Sequence, residues 1–64
     1  MTRFEKDKAD ALAGNEIEVI TRRRAELKRL ENEGKSCKNA FRRLCIAQEY
    51  ARLKDELDEI RELF

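Results

Sequence analysis

The chain has 64 residues, of which 45% are charged and 6% aromatic, and it contains no proline, tryptophan or histidine. A chain of this length forms at most one small domain, whose core is marginal without a disulfide, a metal or self-association. Its net charge of +1 gives no general attraction to nucleic acids, and no apolar stretch approaches the ~20 residues of a membrane-spanning helix.

The two cysteines, Cys37 and Cys45, are poor candidates for a cross-link. Eight residues along one straight helix separate their Cα atoms by roughly 12 Å, which is more than a disulfide spans. Two thiolates without histidine also make a poor zinc site. The N-terminal segment lacks the apolar stretch of a secretory signal. We therefore expect a cytoplasmic protein with free thiols and no cofactor, which is stabilised by self-association.

The first predicted element is a helix over about residues 3–33. It begins at a capping box, in which Thr2 accepts from the Glu5 amide and Glu5 reaches back to the Thr2 amide. At helical spacing, the apolar residues fall within one stripe about 120° wide. The stripe contains Ala9, Leu12, Ala13, Val19, Ile20, Leu27 and Leu30, and Ile17 lies at its edge. The polar face carries Asp7, Asp10, Glu18, Lys28 and Arg29.

Gly14 leaves two alternatives for this helix. Glycine costs about 1 kcal/mol relative to alanine inside a helix, and Asn15 is a suitable N-cap for a fresh helix with Glu18 at its third position. Against a break, the apolar stripe keeps its phase through Gly14. We favour a continuous helix for that reason.

A second candidate helix boundary lies in the sequence NEGKSCKN. Gly34 suits the left-handed position that ends a helix, and Ser36 is a good N-cap for the next one. A turn at residues 34–36 between two long helices predicts an antiparallel αα-hairpin.

The second predicted helix covers about residues 37–63. Its apolar residues form an uninterrupted a/d heptad seam, which consists of Ile46, Tyr50, Leu53, Leu57, Ile60 and Phe64. Phe41, Leu44 and Cys45 lie elsewhere on the circumference, rotated by roughly 100–150°. Because one partner helix cannot cover two apolar faces, the pattern predicts an all-α dimeric four-helix bundle. We expect the seam to pack against Leu12, Ile20, Leu27 and Leu30.

Charge is distributed in three blocks along the chain. Residues 1–21 carry a net charge of −2, residues 22–43 carry +6 and residues 44–64 carry −3. A hairpin then has a basic turn end and an acidic open end. Two such hairpins would pair most favourably antiparallel, with the turn of one against the termini of the other.

The basic residues allow a second interpretation. Arg23 falls inside the apolar stripe, as does Glu16, so these two could pair with each other across a dimer and specify its register. Arg22 and Arg29 project to solvent among glutamates. With the turn they could form a phosphate-binding surface, whose candidate contacts are Arg22, Arg29, Lys38, Arg42 and Arg43. No aromatic interleaving and no known nucleic-acid-binding signature supports this alternative.

The sequence offers no arrangement of candidate catalytic residues. There is no histidine, no glycine-rich loop and no base arranged by a motif near a hydroxyl group. Cys37 near the start of the second helix, beside Lys35 and Lys38, could have a lowered pKa, but a thiol without a base is not a mechanism. We predict a protein that is not an enzyme.

The start of the chain, with Thr2 followed by Glu5 and Lys6, and its hairpin layout resemble the small plasmid RNA-chaperone hairpins, which are dimers. No RNA-contacting set of residues matches, so that function is not transferred. Over its whole length the chain resembles the short all-helical accessory proteins that lambdoid phages encode between their recombination and excision genes. This resemblance implies a regulator of host or phage development that acts through protein contacts.

Together these patterns predict a non-enzymatic protein-interaction module with itself and another protein as partners. The alternative is a hairpin dimer that binds RNA or DNA with its basic turn end.

Overall fold

A computed structural model describes residues 2–64, and it is all-helical with no strand in that range. A short helix is followed by a kinked segment, Ala11–Asn15, and by two long helices. We name the helices α1 (Arg3–Asp10), α2 (Glu16–Ser36) and α3 (Ala40–Arg61). The predicted fold class, all-α, is confirmed.

Helix α1 begins at the predicted cap. Thr2 has extended backbone angles, and its hydroxyl oxygen accepts from the Glu5 amide at 3.2 Å. The same hydroxyl donates to the Glu5 carboxylate at 3.2 Å, which takes the place of the predicted return bond to the Thr2 amide. The cap satisfies one of the backbone donors that a helix leaves free at its start.

The prediction of a continuous first helix is wrong, because the chain breaks at Gly14. Its φ of 105° lies in the left-handed region, which costs glycine little and other residues much more. Glu16 then begins α2, with Asn15 in the N-cap position but without a side-chain capping bond. Periodicity did not reveal the break, since the stripe stays in phase on both sides of Gly14.

The turn lies at residues 37–39, three residues later than predicted. Gly34 stays helical, and the Ser36 hydroxyl donates to the Asn32 carbonyl at 3.0 Å, so it closes α2 instead of starting α3. The N-cap of α3 is Asn39, whose side-chain oxygen accepts from the Arg42 amide at 3.0 Å. Asparagine and serine are about equally good caps, and here the serine is already used by α2.

Helices α2 and α3 form the predicted antiparallel hairpin. Gly34 lies beside Ile46 near the turn, and the contacts then run away from the turn along both helices. One cluster of buried apolar side chains lies in the middle of the hairpin and consists of Leu27, Leu53 and Leu57. A second cluster lies nearer the open end and consists of Ala11, Val19 and Ile60. The hairpin therefore has a thin core that belongs to one chain.

Helix α1 folds back at Gly14 and completes that core at the open end. Phe4 packs against the second cluster, and Ala11 is 1% exposed. Asp7, which the sequence placed on the polar face, is 3% exposed. The backward fold explains this correction, because it turns Phe4 and Asp7 of α1, together with Ala11 of the kinked segment, toward the hairpin.

Candidate functional site

An open groove between α2 and α3 at the turn end is the main concave surface that apolar residues line. It has a volume of about 640 Å³, within the usual range for ligand sites. Its apolar lining comes from both helices and consists of Leu30, Gly34, Ala40, Leu44, Ile46, Ala47 and Tyr50. We call this surface the groove. Leu44 is 55% exposed there, so its side chain has no partner that covers it.

The groove is open because α1 covers a different side of the hairpin. Arg3 of α1 makes a bidentate ion pair with Glu26 of α2, whereas Glu31 of α2 lines the groove. These two glutamates lie about 140° apart around the helix. Helix α1 contacts the second cluster and extends along α2 only to Glu26, at the middle of that helix, so it does not reach the turn end. One side of the hairpin is therefore closed by the chain itself and the other is not.

The rim of the groove is charged. Lys35 and Glu31 form an ion pair at 3.2 Å on the α2 wall, and Arg43 lies on the α3 wall. Arg43 makes no ion pair with any residue in the described range 2–64. The pKa of Glu31 is lowered by its hydrogen bond to Lys35, and the nearby charges of Lys35 and Lys28 lower it further. The charged residues that line the groove are therefore one ion pair and the unpaired Arg43, with a net charge of +1.

The predicted interface residues fall into three groups. Leu27, Leu53, Leu57 and Ile60 are buried inside one chain. Ile20, Leu30, Ile46 and Tyr50 are half-buried. Leu12 and Phe64 are 63% and 60% exposed. Most residues of the seam therefore pack inside one chain, and their role in an interface between two copies stays a prediction.

Arg23 has different partners from the one predicted. It is 2% exposed, its Nε donates to Asp7 at 2.7 Å, and its Nη1 donates to Glu56 at 3.0 Å. The pairing with Glu16 across a dimer is therefore wrong, because α1 and α3 of the same chain supply both acids. Its Nη2 is buried without a hydrogen-bond partner among the described residues. Sequence periodicity located Arg23 in the core, but it could not reveal partners that depend on the kink at Gly14.

The structure does not bring the five predicted nucleic-acid contacts to one surface. Arg22 is paired with Asp7 at 3.0 Å, and it shares a shallow depression with Arg29 beside α1. Arg42 lines a small depression near the turn, whereas Arg43 lines the groove on the other side. The remaining contact, Lys38, is exposed in the turn. Consecutive arginines at the start of α3 thus point to opposite sides of the hairpin.

Cys37 and Cys45 are free thiols, half-buried and exposed respectively. Within residues 2–64, no three thiol or carboxylate side chains come together as a metal site. In the same range, no helix combines the length and the apolar character needed to cross a membrane.

The fold and the groove define a small helical-hairpin domain with one uncovered apolar side. No family model, curated protein or solved structure matches the chain.

Proposed function

We propose that the chain is a non-enzymatic protein-interaction module and that the groove binds a helix of another protein. The observation that carries the proposal is the contrast between the two sides of the hairpin. Helix α1 closes one side with ion pairs and apolar contacts, whereas Leu44 stands 55% exposed on the other. An amphipathic helix is a common ligand for an apolar groove between two helices.

The groove offers enough apolar surface for a useful interaction. Fully burying one leucine side chain contributes about 1.5–3 kcal/mol. Leu44 is more than half exposed, and Leu30 and Tyr50, which line the same groove, are half-buried. A helix that covers all three would gain several kcal/mol before the cost of association is subtracted.

The resemblance to lambdoid-phage accessory proteins extends this proposal. The module would act in the cytoplasm as a regulator of phage or host development, and it would bind its target by protein contacts. The groove provides a surface for such contacts without any catalytic group.

The test compares what the groove and a distant apolar residue contribute to binding. Tagged wild-type protein, Leu44→Glu and Ile17→Glu are used to capture proteins from nuclease-treated bacterial lysate. Ile17 is the matched control, because it is 77% exposed and lies about 20 Å along α2 from the groove. We expect a defined protein that wild type and Ile17→Glu retain and Leu44→Glu loses. Identical capture by all three proteins would show that the groove is not the binding surface.

Self-association into a dimeric four-helix bundle is part of the proposal. The exposed members of the predicted interface are Leu12 and Phe64, both at the open end. Sedimentation equilibrium on wild type and Leu12→Glu checks this, with a dimer expected for wild type and a monomer for the variant. A monomeric wild-type protein over the micromolar range would remove the dimer and leave the groove unaffected.

Binding to RNA or DNA is the second candidate function, and one observation favours it. Phe41 is 75% exposed at the start of α3, next to Arg42 and close to Lys38. An exposed aromatic ring beside cations can stack a base while the cations contact phosphates. Fluorescence anisotropy with a labelled single-stranded oligonucleotide tests this. Affinity should fall steeply between roughly 50 and 200 mM salt, and a flat response would exclude this function.

A further inference from the structure

The rim of the groove indicates the chemistry of its ligand. Cationic side chains stand on both walls, Lys35 on α2 and Arg43 on α3, and Glu31 supplies one carboxylate on the α2 wall. Glu31 is already paired with Lys35 at 3.2 Å. Arg43 has no acidic partner in residues 2–64, so its charge is available to a ligand.

The floor between those walls is apolar and partly built of small residues. Gly34 of α2 and Ala40 and Ala47 of α3 contribute little side-chain volume, and Leu44 and Tyr50 stand beside them. A ligand backbone can approach closely where the side chains are small, while its own apolar side chains contact the larger ones. A helix with apolar residues at positions i, i+3 or i+4, and i+7 matches such a floor.

From the apolar floor and the charged rim together, we infer that the ligand of the groove is an amphipathic helix of another protein, with acidic residues along the side of its apolar stripe that faces Arg43. The inference rests on the proposed function and adds the chemistry of the partner. The acidic flank faces Arg43, whereas the opposite flank meets the Lys35–Glu31 pair, whose charges compensate each other. Charges at the rim of an interface select partners and speed association more than they add affinity.

A second copy of this chain fits the groove less well. Two grooves placed face to face would bring two uncompensated cations together, the Arg43 side chain of each copy, because Glu31 compensates Lys35 in each groove. At the acidic end of α3, Leu53, Leu57 and Ile60 are buried in their own core and cannot enter the groove of another copy. Leu63 and Phe64 are exposed there, but they are neighbours that follow the last residue of α3, so they do not form a helical apolar stripe.

The groove contains its own optical probe. Tyr50 lines it and is the only tyrosine of a chain that has no tryptophan. Tyrosine fluorescence therefore reports occupation of the groove directly, provided that the ligand has neither residue. The probes are two synthetic helical peptides with the same leucine stripe, one with glutamates and the other with lysines at the flanking positions.

Two variants separate the rim charge from general electrostatics. Arg43→Glu reverses the charge on the groove wall, and Arg42→Glu makes the same change on the neighbouring residue, which points to the other side. Both variants have the same net charge and lie at the same end of α3. Leu44→Glu is a third variant that blocks the apolar floor, and far-UV circular dichroism checks that all three stay helical.

We expect the glutamate peptide to change the Tyr50 fluorescence of wild type saturably and the lysine peptide to bind at least tenfold more weakly. Arg43→Glu should weaken the glutamate peptide by about five- to tenfold, since an attractive rim pair becomes repulsive, while Arg42→Glu changes affinity less than twofold. Leu44→Glu should abolish the signal.

Three results would overturn the inference, and they differ in what they leave standing. Equal binding of both peptides, lost in Leu44→Glu, would refute acidic selectivity and leave the interaction module intact. Displacement of the glutamate peptide by a single-stranded oligonucleotide would assign Arg43 to nucleic acid instead. Absence of binding by either peptide, together with unchanged capture of proteins by Leu44→Glu, would refute the groove and the proposed function together.

Discussion

Replacing Asp7 by alanine tests the buried ion network that ties α1 to the hairpin. The Asp7 side chain is 5% exposed and accepts from Arg23 at 2.7 Å and from Arg22 at 3.0 Å. Without it, the guanidinium of Arg23, itself 2% exposed, keeps Glu56 as its single acidic partner in residues 2–64. Removing one partner of a buried ion pair costs about 3–5 kcal/mol when the remaining charge has no other partner, and Glu56 makes this an upper limit for Asp7→Ala.

The cost of the Asp7→Ala substitution is large for a domain of this size. At about 0.05–0.15 kcal/mol per residue, a 64-residue chain has a total stability of roughly 3–10 kcal/mol. The chain has a less costly response than global unfolding. Because α1 is joined to α2 through the break at Gly14, it can undock and let water reach Arg23. The penalty cannot exceed the free energy that holds α1 in place, so we expect local undocking.

Amide hydrogen exchange followed by NMR distinguishes these responses. In Asp7→Ala, the amides of α1 should lose protection, while those of Leu53 and Leu57 in the middle of the hairpin stay protected. Asp10→Ala is the matched control, because it makes the same chemical change in the same helix at a half-buried residue that forms no ion pair within residues 2–64. Equal protection of α1 in both variants would refute the claim that the Asp7–Arg23 pair holds it.

Three further substitutions and one change of pH test the local structure. Gly14→Ala should lower the free energy of unfolding by about 1–2 kcal/mol through its left-handed φ alone, since an added Cβ meets nothing within 4 Å. Gly34→Ala should instead raise the free energy of unfolding by about 0.5–1 kcal/mol, because Gly34 is helical and an added Cβ makes an ordinary 3.5 Å contact. Chemical denaturation measures both, and equal effects would contradict the two assignments. Asn39→Ala should lower the free energy of unfolding by about 1 kcal/mol in the same assay, because it removes the cap of α3. An unchanged free energy of unfolding would show that another residue caps α3. The hydrogen bond from Arg3 lowers the pKa of Glu26 below its ordinary value of 4.5, so this pair stabilises the fold fully above that pH and less as the pH falls through the folded-state pKa. The protection factors of the α1 amides, in which the intrinsic pH dependence of exchange is divided out, should therefore fall below about pH 4.5 in wild type and less so in Arg3→Ala. Protection factors that do not change with pH would contradict this linkage.

Regular periodicity accounts for the parts of the fold that the sequence predicted correctly. The apolar spacing in α3 located Leu53, Leu57 and Ile60, and all three are buried. The same angular reasoning separated Leu44 from that seam and so indicated a second apolar face, part of which lines the groove. Such predictions succeed because the position of a side chain around a helix depends on sequence spacing alone.

Sequence by itself thus determined the helical class, the hairpin and the two apolar faces of α3, since each follows from local spacing and composition. Only the tertiary structure decided where the chain bends and which charges become buried. Gly14 is compatible with both a straight and a broken helix, and the choice depends on the docking of α1 against Val19 and Ile60. That docking buries Asp7 beside Arg23 and leaves the groove as the open side of the hairpin. These outcomes depend on contacts between residues far apart in the chain, and local periodicity carries no information about them.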